Sequence, residues 1–120
     1  MKRAAAVLVI ALAAVAVAVN ASAGTTANKK LVGVVGKNNA YKITLRDSRG
    51  RLVRSLKAGT YTIVVRDGST MHNFELEREH HGKSREITNV DFVGTKTVRV
   101  TLTRGDYKVY CEQHESMMFQ

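Results

Sequence analysis

Cys111 is the only cysteine in the chain. No disulfide can form within it, so the stapled frameworks that hold many small exported domains together are excluded. Beyond residue 23 no stretch sustains the apolar spacing of an amphipathic helix, and strand-like runs do not alternate with helical ones, which excludes a βαβ sheet. The chain also lacks an apolar run long enough to cross a membrane. Ala4–Val19 covers 16 residues, against the roughly 20 that a spanning helix needs.

That short run is still informative. Lys2 and Arg3 precede it and Ala21-Ser22-Ala23 follows it, giving the charged start, apolar centre and small-residue cleavage site of a secretory leader. The expectation is a leader over residues 1–23, cut before Gly24. The protein would then be exported to the periplasm, the extracellular space or the cell envelope, with no stable membrane insertion. No cysteine lies near the cut, so an N-terminal lipid anchor is excluded. In an oxidising compartment a lone thiol needs a reason: burial, pairing between chains, or ligation of a metal as thiolate.

Acidic residues are few, 10 against 19 Lys and Arg, and loss of Lys2 and Arg3 with the leader lowers the formal charge from +9 to +7. Lys42, Arg46, Arg49, Arg51, Arg54 and Lys57 fall in turns or at alternate strand positions, the pattern of a solvated basic face. Export makes nucleic acid an improbable partner. The charge favours acidic protein partners or an anionic envelope.

Residues 24–120 are enough for one domain. They divide into a flexible lead and first strand over 24–39, with Lys30–Val35 as that strand, and a domain proper over 40–120. Tyr41–Arg46 alternates apolar with polar residues, the mark of a strand with one buried face. Asp47-Ser48-Arg49-Gly50 turns, and Leu52–Leu56 returns as the expected hairpin partner. Tyr61–Arg66 is the strongest β-forming run. Phe74–Glu77 is followed by a charged stretch, Arg78–Glu86, expected as a loop. Thr97–Leu102 and Tyr107–Cys111 complete the strands. Short strands with regularly spaced turns predict an all-β fold, an antiparallel Greek-key sandwich. Gly59-Thr60-Tyr61 and Gly105-Asp106-Tyr107 repeat one pattern, a Tyr two residues after a Gly at a strand start, as in a tyrosine corner.

The chemistry concentrates in Cys111-Glu112-Gln113-His114-Glu115-Ser116-Met117-Met118. A thiolate, an imidazole and a thioether within eight residues, joined by His72 at the edge of a strand-like run, make a ligand set suited to copper: two His and one Cys, with a weak axial Met. Cys111 ends a strand, and three residues later His114 has left it and can fold back toward the sulfur. Zinc is the chemically possible alternative, but the Irving–Williams order favours copper and a Met adds nothing for zinc. A thiol enzyme using Cys111 with either His is the weakest reading, since no third residue or oxyanion donor set is evident. His80 and His81, adjacent and so pointing apart on an extended chain, read as solvated. Met71 is expected to pack near the site.

Two longer segments carry a resemblance. Ala58–Asp67 leading into Met71-His72-Asn73-Phe74, and Phe92–Val98 followed by Gly105-Asp106-Tyr107 and Cys111–His114, are similar to the segments around the copper ligands of small bacterial cupredoxins of the plastocyanin-like group. The resemblance covers most of residues 40–118. It implies a mononuclear type 1 copper site with His72, Cys111 and His114 as strong ligands and Met118 as axial ligand, Met117 being the alternative. It also implies that Asn73 hydrogen-bonds across the ligand loops and orients the sulfur. The implied function is single-electron transfer between redox partner proteins by a monomer that is not an enzyme. The alternative is a copper-binding or copper-delivery module of the cell envelope. Such proteins continue past the Met into a closing strand, whereas here Phe119 and Gln120 follow, so either the sequence stops short of that strand or an earlier strand covers the edge.

Overall fold

The computed structural model describes residues 29–120. The expected leader over residues 1–23 and the polar lead Gly24–Asn28 lie outside the described residues. Seven strands follow in order: β1 (Lys30–Val35), β2 (Ile43–Asp47), β3 (Gly59–Asp67), β4 (Phe74–Arg78), β5 (Ser84–Thr88), β6 (Gly94–Leu102) and β7 (Tyr107–Tyr110). Two short 3₁₀ turns, Lys37–Asn39 and Glu112–His114, are the only helical pieces among the described residues.

Alternation organises the strands. In β3, Tyr61, Ile63, Val65 and Asp67 are buried while the residues between them face outward, as a pleated strand with one covered face requires. Leu31 and Val35 of β1, Ile43 and Leu45 of β2, and Val100 and Leu102 of β6 add to the same buried layer. Phe74, Leu76, Ile87 and Val109 meet it from the other sheet. The sheets are four-stranded, in the order β2-β1-β3-β6, and three-stranded, in the order β5-β4-β7. They share one core, consistent with a β-sandwich.

The expectation of a wholly antiparallel fold is corrected by one pair. β1 runs parallel to β3, Leu31 beside Ile63 and Val35 beside Asp67, and every other pairing is antiparallel. A parallel pair needs a long connection. Here β2 and residues 48–58 supply it and bring the chain back on the other side of β1. The first strand therefore lies inside the sheet, between β2 and β3.

Two further expectations change. Leu52–Leu56 is not a strand: Leu52 makes a single bridge to Arg46, Val53 N–H donates to the Leu45 carbonyl, and the chain then leaves the sheet. The stretch Arg78–Glu86 is not one loop, because β4 extends to Arg78 and β5 begins at Ser84. The edge expected to need cover is closed by residues 118–120. Cys111 N–H donates to the Met118 carbonyl, and Gln120 exchanges both backbone hydrogen bonds with Val109. The Gln120 side-chain amide then reaches the other sheet, accepting from Leu45 N–H at 2.8 Å and donating to the carbonyls of Leu45 and Val53 at 2.9 Å each.

Both Gly-x-Tyr repeats share a hydrogen-bonding pattern. The Tyr61 hydroxyl donates to the carbonyl of Lys57, and the Tyr107 hydroxyl accepts from the N–H of Thr103, each four residues upstream. The glycines two residues before them have φ of 151° and 152°, a conformation that side-chain-bearing residues avoid.

Candidate metal centre

Four segments converge at one end of the two sheets: the bend before β2, the β3–β4 loop, the start of β4 and the loop after β7. The β3–β4 loop is fixed by a buried polar network. Asp67 accepts from Ser69 N–H at 3.1 Å and from the Thr88 hydroxyl at 2.6 Å, and Thr88 Oγ1 accepts from Phe74 N–H. Ser69 Oγ accepts from Met71 N–H. Burial pushes the Asp67 carboxyl above its ordinary value, opposed by the hydrogen bonds from Thr88 and Ser69. The loop thus reaches His72 with its neighbours tied from both sides.

His72 is fully buried. Its ring fits because position 36 is glycine. A Cβ there would lie 3.0 Å from His72 Cδ2 and 2.7 Å from Ser69 Cβ, and the backbone sits at φ 63°. Behind it, Gly33 lets Phe74 pack directly on the backbone of β1, where a Cβ would lie 2.7 Å from the Phe74 ring.

The loop after β7 closes on itself. Cys111 precedes the 3₁₀ turn, His114 N–H returns to the Cys111 carbonyl, and the His114 carbonyl accepts from both Met117 and Met118 N–H. This bonding sends Met118 inward and Met117 outward: Met118 is 1% exposed and belongs to the core, while Met117 is 63% exposed.

The result is a compact donor triangle. His72 Nδ1 and His114 Nδ1 are 3.1 Å apart, and the buried Cys111 Sγ lies 3.8 Å from the first and 3.7 Å from the second. The point equidistant from three atoms so spaced is about 2.1 Å from each, inside the roughly 2.0–2.3 Å of metal–nitrogen and metal–thiolate bonds. His72, Cys111 and His114 can therefore hold a metal ion. Among the described residues His72 Nε2 is buried without a partner, and Nδ1 is the engaged nitrogen of that ring. Gln113 Oε1 lies 3.7 Å from the sulfur as a weak acceptor.

Asn73, next to His72, joins the two ligand loops. Its Oδ1 accepts from the N–H of Glu112, the residue after Cys111, at 2.8 Å, and its Nδ2 donates to Glu75 Oε1 at 3.1 Å. The hydrogen bond goes to the backbone beside the sulfur, so Asn73 positions the cysteine through the chain. Tyr41 has a role that its sequence does not announce. It lies in the bend ahead of β2, half exposed, with its ring edge-to-face on both imidazoles, centroids 4.9 Å from His72 and 4.7 Å from His114. Nothing in its sequence context distinguishes it from a strand aromatic. Gly36, Asn38 and Asn39, all at positive φ, turn the chain just ahead of it.

Other candidates lie apart from the triangle. His80 and His81 sit exposed in the β4–β5 turn, His80 at φ 64°. Met71 is about half exposed, in place of the packing role expected for it. Comparison of the chain with protein-family models, curated proteins and solved structures finds no match.

Proposed function

We propose that the protein is a type 1 copper protein of cupredoxin kind, an exported monomeric carrier of single electrons that transforms no substrate. The observation that carries this reading is the donor triangle. One thiolate and two imidazole nitrogens are buried together at spacings that suit one ion, on loops pinned by hydrogen bonds on both sides. A thiolate with two imidazoles is the strong ligand set of blue copper sites, and Met118, buried in the same core cluster as Cys111, would supply the weak fourth ligand. Copper, when bound, supplies a one-electron couple.

The chain's own residues set the conditions for that couple. Burial of Cys111 at 0% exposure keeps solvent and oxidants from the sulfur. The Asn73–Glu112 bond and the doubly bonded His114 carbonyl hold the loop, so the donors need little rearrangement when charge at the site changes. His114 is the ligand that reaches partial exposure, and Tyr41 and Met117 flank it. This is the edge through which an electron would pass to a redox partner, and the chain's basic charge favours acidic ones.

Voltammetry of the copper-loaded protein tests this reading. A reversible one-electron wave, abolished in Cys111→Ser, is expected. Tight binding of Cu(I) with ready transfer to a chelator and no reversible wave would favour copper delivery.

A further inference from the structure

A second group of side chains lies on the other side of Asn73. Glu75 is on β4, Glu86 is its register partner on β5, and Glu112 is the first residue after Cys111. One carboxylate oxygen from each falls within 4.8 Å of the other two. We propose that these three glutamates form a site for a hard divalent cation such as calcium or manganese, separate from the sulfur-containing centre and independent of its reading.

Three like charges gathered in a chain of net charge +9 call for a counter-charge. Among the described residues, no Lys, Arg or His lies within ion-pair distance of any of the three. Arg51 pairs with Asp47, and Lys108 with Glu77 and Glu115. The more specific observation is Glu75 itself. It is 4% exposed, its Oε1 accepts from Asn73, and its Oε2 has no partner at hydrogen-bond distance among the described residues. A buried carboxylate oxygen left without a donor is unfavourable, and a cation removes that cost. The Asn73 amide points its Nδ2 at Glu75 and, at 3.5 Å, at Glu86, so both carboxylates are oriented from one side. Burial pushes the Glu75 carboxyl up, with the charges of Glu86 and Glu112 adding and hydrogen bonds from the Ser84 and Asn73 side chains opposing.

The ligand chemistry decides the class of ion. Carboxylates with no sulfur or imidazole among them suit hard cations. The three oxygens fall within 4.8 Å of one another, close enough for one ion to bridge them. Glu86 and Glu112 are exposed, so water can complete the shell.

The test is a titration of the whole protein with Mn²⁺ alone, following loss of the free-ion electron paramagnetic resonance signal. One Mn²⁺ per chain is expected, displaced by Ca²⁺, retained in Cys111→Ser, and weakened at least tenfold in the Glu86→Gln/Glu112→Gln double variant. Both substitutions are at exposed positions, and circular dichroism verifies the fold. No binding by the folded wild type would overturn the proposal and leave a protonated Glu75 as the resolution of the repulsion. So would equal binding by the double variant, or binding lost in Cys111→Ser, which would assign the ion to the other centre. Failure here leaves the copper reading untouched, because that reading depends on the sulfur.

Discussion

The two ends of the two-sheet body solve the problem of closing a sandwich in opposite ways. At the ligand end Asp67, Thr88 and Asn73 tie the loops through buried hydrogen bonds, with His72 Nε2 and Glu75 Oε2 left without partners among the described residues, and Phe74 fills the space down to the backbone of Gly33. At the other end the sheets part around a cavity of about 840 Å³, lined by core residues including Leu31, Leu45, Ile63, Leu76, Leu102 and Val109. That end is held by a few ties at its rim: the two tyrosine hydroxyls and the Gln120 amide. Precision is concentrated where three donor atoms must meet. The open end needs only to keep the sheets together.

Truncating the core at each end should expose this difference most strongly. Phe74→Ala is expected to cost about 3–5 kcal/mol, because the ring is fully enclosed and its removal leaves a void. Leu102→Ala, whose side chain borders the cavity, should cost nearer 2 kcal/mol, the low end for Leu→Ala, since no sealed void is created. Equal losses in denaturant unfolding would break the comparison.

Next in size is the bond that joins the ligand loops. Asn73→Ala removes the acceptor for Glu112 N–H, and a drop of about 10–100-fold in copper affinity is expected, the usual effect of losing a group that orients a ligand. A competition titration against a chelator of known affinity reads it. Affinity within twofold of wild type would show that the triangle does not depend on this tie.

At the open end, Gln120→Ala removes three hydrogen bonds between the sheets. A loss of about 1–3 kcal/mol is expected, with the metal-centre spectrum unchanged. A shifted spectrum would show that the two ends are coupled through residues 118–120.

The smallest effect expected is a pH dependence. Burial, with Glu86 and Glu112 adding, raises Glu75 above its ordinary 4.5. An acid whose folded pKa exceeds its unfolded one holds more protons in the folded chain. Stability from this group is therefore full below the unfolded value and falls as pH climbs from 4.5 through the raised one. In metal-free buffer, the stability of wild type relative to Glu75→Gln should decline across that window and level off beyond it. A flat difference would mean that the carboxylate is already balanced.

Much of this architecture is legible in the residues. Alternation marks β2 and the end of β6, β-forming residues mark β3, and the short spacing of Cys111, His114 and Met118 marks the ligand loop. β5 escapes notice because only Ile87 and Thr88 of its five residues are buried, while Ser84, Arg85 and Glu86 look like loop. The parallel β1–β3 pair is invisible because alternation reports which face is buried and carries no strand direction. Leu52–Leu56 has strand-forming residues, but the β2 positions it would pair with are engaged by the Gln120 amide, a contact 75 residues away in sequence. Tyr41 and Gly36 matter through what they pack against, and local pattern carries no record of that.

The central claim is that Cys111, His72 and His114 hold one copper ion as a thiolate centre, and the visible spectrum tests it most directly. With one equivalent of Cu(II) the protein should show an intense thiolate-to-copper band. That band should be absent in Cys111→Ser, altered in Met118→Leu and unchanged in Met117→Leu. A colourless copper complex, or the same spectrum from Cys111→Ser, would contradict it.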